Sequence, residues 1–314
     1  MKAVSHESRT VEAKILSWLV TAACAVQLSV VTLRIEAQPI PDPSVRAVGS
    51  GPETWVLLAG VVGGVGGFRE LEGELLQQGH RVITVDPFHH SLDSADVSFA
   101  ALARRTLNVL DRLGVQTARV VGHSNGAGVA IRMAANAPER VDALYFLDAG
   151  ALASNRGMVL GGVIRLVPHL IRLPGVRWYI RGRLVSGIRD NMGRRDWFDE
   201  AKQRAYVDPM LTEIKRVIGL AMRLGDSTEP EPVAQTVARI RVPVLVILGD
   251  APHQSRPEQS EVDALGVLGA RLRVIHLPGV GHFLHEEATG VVAKYLLQSP
   301  VRTGATAWLT ARAG

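Results

Sequence analysis

Apolar residues along this chain fall into short continuous runs, and between the runs they return every three or four positions. The runs Ser44–Val48, Thr54–Ala59, His80–Val85, Val141–Leu147, Arg241–Asp250 and Ala270–Leu277, with the one ending at Gly122, predict strands. Helices are predicted over Phe68–Gln78, Val97–Leu113, Ala127–Ala137 and Leu284–Leu297. In the second, Phe99, Leu102, Leu107, Leu110 and Leu113 mark one face; the third stops near Pro138. Strands alternating with helices at this spacing imply an α/β fold, a mostly parallel sheet with helices on both faces and functional loops at the strands' carboxyl ends.

The rhythm breaks over 151–239, where the segments are helical and rich in arginine. This predicts a helical cap inserted after the sixth strand, which divides the core into 44–150 and 240–300 and leaves 301–314 as a tail. Within the cap, Leu160–Ile180 is apolar with spaced arginines and contains Trp178 and Tyr179. Its apolar face is expected to pack on the core, with the arginines in water. A lid over an acyl chain, or a surface for anionic lipid, are the alternatives. Trp197 and Phe198 are expected to be packing residues. No internal repeat is present.

Residues 1–43 read as a signal or membrane-anchor segment followed by a linker. A polar, basic start leads into the uncharged stretch Ile15–Leu33, and Pro39–Pro43 holds three prolines, which favour extended backbone. One reading makes Ile15–Ala22 the apolar part of a secretory signal cleaved at Ala23-Cys24-Ala25. Another keeps the whole stretch as an anchor, since a helix of that length spans roughly 28 Å. Thr32–Glu36 also alternates with period two, as a half-buried strand does. The expected location is therefore secreted or membrane-anchored.

Composition narrows the function. With 47% hydrophobic and 21% charged residues the chain is a folded globular protein rather than a disordered one. A net charge of +5 favours anionic surfaces, but no nucleic-acid module accompanies it, so no nucleic-acid partner is expected. The single cysteine, Cys24, excludes an intrachain disulfide framework and a cysteine-based metal cluster.

The chemistry centres on Gly122-His123-Ser124-Asn125-Gly126, which joins an apolar run to a helical segment. A strand running straight into a helix forces the serine into a strained turn, and small residues on either side let the two backbones approach. The turn presents Ser124 Oγ and aims the Asn125 N–H at the place where an oxyanion would form. The glycine-rich loop Gly60–Gly67 lacks the spacings of a nucleotide-binding loop and fits an oxyanion loop better, with Val61 N–H as the second donor.

These pieces resemble the α/β-hydrolase fold superfamily, especially its esterase, lipase and haloperoxidase-like members. The resemblance rests on Val56–Gly60, the Asp86–Ser91 loop, Gly122–Gly126, Ala137–Val141, Pro243–Gly249 and Gly281-His-Phe-Leu-His-Glu286. It implies Ser124 as nucleophile and His282 as base, with no metal or organic cofactor. His123 is then a packing residue beneath the turn, His285 a structural partner on the last helix and His90 a loop-shaping residue. The acid has two candidates. Most relatives place it in the loop after Val244–Leu248, where the usual slot here holds Pro252 and Asp250 lies two residues earlier. Others keep it after the preceding strand, where Asp148 lies. The implied activity is hydrolysis of a carboxylic ester with an apolar part, a small molecule or a lipid. Thioester, lactone or carbon–carbon bond hydrolysis, perhydrolysis, and a non-catalytic binding role on the same fold are the alternatives. Membrane association through the N-terminus or the basic cap goes with a lipid substrate.

Overall fold

The computed structural model describes residues 42–89, 96–152 and 167–299. The expected signal or anchor segment, the Thr32–Glu36 stretch, His90, the first part of Leu160–Ile180 and the tail lie outside the described residues. No helix among the described residues is long and apolar enough to cross a membrane.

Among the described residues, seven strands make one sheet: β1 (Val45–Val48), β2 (Thr54–Leu58), β3 (Arg81–Val85), β4 (Ala118–His123), β5 (Val141–Leu147), β6 (Val244–Gly249) and β7 (Leu272–Leu277). Their spatial order is β1-β3-β2-β4-β5-β6-β7. Only β1 is antiparallel to its neighbour; every other pairing is parallel. The helices before the insertion are α1 (Arg69–Gln77), α2 (Phe99–Arg112) and α3 (Asn125–Asn136). The central strands are apolar on both sides because both faces of the sheet are covered. Val56, Leu58, Val120, Phe146 and Val246 pack in one layer with residues of α2 and α3, while Trp55, Leu57, Val121, Tyr145 and Ile247 pack in the other with residues of α1.

The insertion contains α4 (Val167–Leu170), α5 (Val176–Arg189), α6 (Glu200–Thr212), α7 (Ile214–Asp226) and α8 (Val233–Ala238). It follows β5, the fifth strand among the described residues, and not a sixth; the Thr32–Glu36 stretch lies outside those residues. Its helices share a small core of Val185, Ile188, Phe198, Tyr206, Val207 and Leu211, into which Phe283 projects from the sheet-bearing part of the chain. Polar ties hold the two parts together. Glu229, at the end of the insertion, accepts hydrogen bonds from the N–H groups of Phe99 (2.6 Å) and Ala100 (3.2 Å) at the start of α2. There its charge meets the positive end of the helix. The same carboxylate pairs with buried Arg132 of α3 at 3.4 Å.

Two expectations change. Trp178 and Tyr179 do not pack on the core: they are 80% and 59% exposed, and Leu170 and Leu173 beside them are exposed too. Glycines at 175, 182 and 187 and arginines at 177, 181, 183 and 189 interrupt the apolar face that α5 would need to bury both rings. The final helix is two helices, α10 (Leu284–Glu287) and α11 (Thr289–Gln298), broken at Ala288; α9 (Gln259–Asp263) precedes β7. The carboxylates of Glu286 and Glu287 on that short α10 are both buried, accepting hydrogen bonds from Tyr206 OH and Gly281 N–H respectively.

Candidate active site

β4 runs directly into α3, and Ser124 stands at the junction with φ 51° and ψ −127°. A side chain in that region is strained by roughly 1–3 kcal/mol and needs surrounding structure to hold it there. Ser124 N–H donates to Leu147 O (3.1 Å), and Ser124 O accepts from Ala127 N–H (3.0 Å). The flanking glycines are required by space: a Cβ on Gly122 would lie 2.5 Å from Ala127 Cα, and one on Gly126 2.3 Å from Leu58 O. The loop carrying Val61 also passes close to Ser124, since a Cβ on Gly60 would approach Ser124 Cβ to 3.1 Å. Ser124, Asn125 and Val61 therefore line the same cavity, about 610 Å³ in volume.

Asp148, at the end of β5, is the other non-glycine residue with positive φ (50°) among the described residues. Its backbone turn sends the carboxylate into the interior, where it is 2% exposed. Oδ1 accepts from Gly249 N–H (3.0 Å), while Oδ2 accepts from His282 Nδ1 (2.6 Å) and His253 Nε2 (2.7 Å). Burial pushes this carboxyl's pKa up, but the hydrogen bonds from His253 and His282 outweigh it and hold the group well below its ordinary value. Asp148 is ionised at neutral pH. A carboxylate only accepts, so His282 carries its proton on Nδ1 and keeps Nε2 as the basic nitrogen.

Three further groups fix the His282 loop. His123 Nε2 donates to His282 O (2.9 Å). Burial lowers the His123 pKa to about 3, so its ring is neutral and serves as a structural donor. His282 N–H donates to Asn191 O (2.8 Å) in the insertion. Glu287 accepts from the N–H groups of Gly281 (2.9 Å) and Phe283 (3.2 Å) and, from the insertion, Gly193 (2.9 Å) and Arg194 (2.7 Å). Next to it, Glu286 binds Lys202 Nζ (2.6 Å) and accepts from Tyr206 OH (2.8 Å), both on α6. His285 is buried, with its ring stacked on Phe68 at 4.6 Å.

Asp250 lies elsewhere. It is exposed, does not line the cavity, and faces Arg256 at 3.6 Å. The residue that occupies this loop's inner position is His253, which the sequence reading had not singled out. A histidine beside a proline in the expected acid slot was the available signal, but its contact with Asp148 spans 105 positions. Asp148, His253 and His282 bring three metal-ligand atoms within 4.8 Å of one another. Ligands of one tetrahedral ion would sit about 3.3 Å apart at bond lengths near 2.0–2.1 Å. Two ring nitrogens at 2.6 and 2.7 Å from a single oxygen are hydrogen-bonded instead.

The lining of the cavity is mostly apolar, with Val62, Leu152, Leu184, Ile188, Met210, Leu224 and Phe283; Arg183, Glu261, Asn191 and Gln254 supply polar points. A parallel sheet, a serine raised on a strand-to-helix turn and a histidine–carboxylate pair in one cavity define a hydrolase-like α/β architecture. Residues 48–294 match the Alpha/beta hydrolase family, and the chain belongs to it. Among relatives, it is 24% identical over 257 residues to the sn-1-specific diacylglycerol lipase ABHD11 of Mus musculus, a match covering 74% of this chain and 76% of that protein. It is 38% identical over 196 residues to a 2-hydroxy-6-oxononadienedioate/2-hydroxy-6-oxononatrienedioate hydrolase of Paraburkholderia phymatum, covering 60% of this chain and 56% of that one. Its fold is similar to that of a bacterial membrane phospholipase A, with a TM-score of 0.62 at 18% identity over 92% of this chain and 97% of that one.

Proposed function

We propose that the protein is a serine hydrolase that cleaves a carboxylic ester with an apolar acyl or alcohol part, with Ser124, His282 and Asp148 as its triad. The observation that carries this reading is the Asp148 carboxylate at 2.6 Å from His282 Nδ1, in the cavity that also holds Ser124 at its strained turn. In the acylation step Ser124 Oγ attacks the carbonyl carbon while His282 Nε2 takes the hydroxyl proton, and Asp148 stabilises the imidazolium that forms. The N–H groups of Asn125 and Val61 receive the negative charge on the former carbonyl oxygen. Collapse of the tetrahedral intermediate returns the proton from His282 to the leaving alcohol. Water, activated by the same nitrogen, then releases the acid and restores Ser124. The largely apolar wall favours an apolar substrate group.

The resemblance to a carbon–carbon bond hydrolase supports a second reading on the same triad. A dianionic substrate would call for paired cationic groups, and among the described residues lining this cavity Arg183 is the only Lys or Arg. That favours the ester. The experiment is hydrolysis of p-nitrophenyl esters from acetate to palmitate by wild type and Ser124→Ala. Turnover that depends on Ser124 and prefers acyl chains beyond acetate supports the reading; a folded wild type no faster than Ser124→Ala on every ester sinks it and leaves a binding role.

We further propose that the protein is secreted or membrane-anchored through Ile15–Leu33 and meets its substrate at an anionic lipid surface. Exposed Trp178 and Tyr179 lie on α5 among Arg172, Arg177, Arg181 and Arg183, an aromatic and basic combination suited to lipid headgroups. The same helix lines the cavity through Leu184 and Ile188. Fractionation of expressing cells tests the first part. Vesicle flotation of wild type and the Trp178→Ala/Tyr179→Ala double variant tests the second: the variant should lose the preference for phosphatidylglycerol over phosphatidylcholine, and an unchanged preference argues against docking through this face.

A further inference from the structure

The loop after β6 brings to Asp148 a histidine that the triad does not require. His253 Nε2 lies 2.7 Å from Asp148 Oδ2, and its Nδ1 lies 2.7 Å from Ala251 O. Neither oxygen has a proton to give, because a carbonyl only accepts and Asp148 is ionised. A neutral imidazole carries one N–H, so either neutral tautomer would aim a lone pair at an oxygen at hydrogen-bond distance. The His253 side chain is fully buried, which leaves no solvent to relieve that contact. Both contacts are satisfied by the imidazolium. Burial opposes the charge, but the bond to Asp148 prevails and raises the pKa of the ring.

This has a consequence for the reaction, and it rests on the proposed triad. Asp148 Oδ2 serves two rings at once, with centroids 5.8 Å apart. When His282 takes the Ser124 proton, a second cation forms beside the first on one shared carboxylate. The charged or titratable groups facing His253 are Asp148 from the end of β5, His282 from the loop after β7 and Arg256 on its own loop. We propose that His253 is a positioning residue: its imidazolium holds the Asp148 carboxylate in place but mutes its support of His282, and loss of one proton to solvent gives that support back. The proton retained on Nε2 keeps the carboxylate oriented, so reaction is fastest with His253 neutral. The rate then rises with pH as His253 gives up its proton, on top of the dependence that any histidine base imposes.

The test is the pH profile of kcat/KM for ester hydrolysis by wild type, His253→Gln and His253→Leu. Gln retains an N–H donor near the Nε2 position and has no charge. The wild-type acid limb should be steeper than one proton. In His253→Gln it should become a single-proton limb displaced to lower pH, with activity at pH 6 relative to its own plateau raised at least about threefold. His253→Leu should share the displaced limb but have a lower plateau, which Gln restores. A normalised His253→Gln limb that superimposes on wild type overturns the proposal. Long-range ¹H–¹⁵N spectra of the wild-type rings at pH 6, below the ordinary value of 6.5 from which the His253 pKa is raised, give a second readout that needs neither turnover nor a folded variant. One ring should carry protons on both nitrogens and show contacts to His282; only singly protonated rings there would refute the proposal. An inactive protein with that ring would count against the hydrolase reading, and an active one without it against the role of His253.

Discussion

Neighbouring parallel strands β5 and β6 each run into an aspartate, yet the two carboxylates end in opposite surroundings. Asp148 N–H donates to Ile247 O (2.8 Å) and its φ of 50° folds the side chain back over the end of β6, where Gly249 N–H meets it. Asp250 N–H donates to Leu277 O (3.1 Å), and its side chain continues outward to solvent and Arg256. Position at a strand's end is therefore not enough to bring a carboxylate to His282. The backbone turn decides which carboxylate enters the cavity, and burial with two ring donors makes that carboxylate strong.

Breaking the buried end should have the largest effect. Asp148→Asn is expected to lower kcat/KM for ester hydrolysis by roughly 10³–10⁴, because the amide can no longer fix the tautomer of His282 or stabilise its charged form. Steady-state kinetics on variants with native circular dichroism check it, and less than a tenfold loss would move the acid elsewhere. Next comes acid. His123, whose pKa falls from 6.5 to about 3 on folding, and His285, also shifted well below 6.5, stay neutral while the unfolded chain takes up protons. Stability should thus fall as pH drops from about 6.5, by up to about 1.4 kcal/mol per pH unit for each ring. Asp148 adds a loss only as pH falls below 3.8, and the raised pKa of His253 stabilises fully below 6.5; the carboxyls of Asp86 and Glu286, which burial raises, gain stability as they protonate and offset part of the loss. Denaturant titrations at pH 7 and 4.5 measure the loss; equal midpoints would contradict it.

Glu287→Gln probes the support beneath His282. Four backbone donors converge on this carboxylate, and an amide nitrogen in place of one oxygen leaves some of them unmet, at a cost of about 1–3 kcal/mol. Chemical denaturation reads the change directly. Smallest of all, Asp250→Asn should alter stability by less than about 0.5 kcal/mol and kcat/KM less than about twofold, since an exposed pair contributes little. A larger kinetic loss would erase the contrast between the two strand ends.

How far the sequence reached follows the same division. The core was legible because its apolar runs are buried on both faces of a parallel sheet, and Gly122 and Gly126 flank Ser124 where only glycine fits. Which of Asp148 and Asp250 turns inward was not, because a positive φ at an aspartate leaves no mark in composition or periodicity. His253 stayed hidden since its partner is distant along the chain. In the insertion, an apolar stretch read as packing turned out to expose Trp178, because arginines and glycines break the face of α5.

The most direct test of the central claim is to treat the wild-type protein with a fluorophosphonate and map the modified peptide by mass spectrometry. An activated serine predicts one adduct per chain, on Ser124, formed only in the folded protein. A folded protein that takes up no label, or carries it on another residue, would contradict the assignment of Ser124 as the nucleophile.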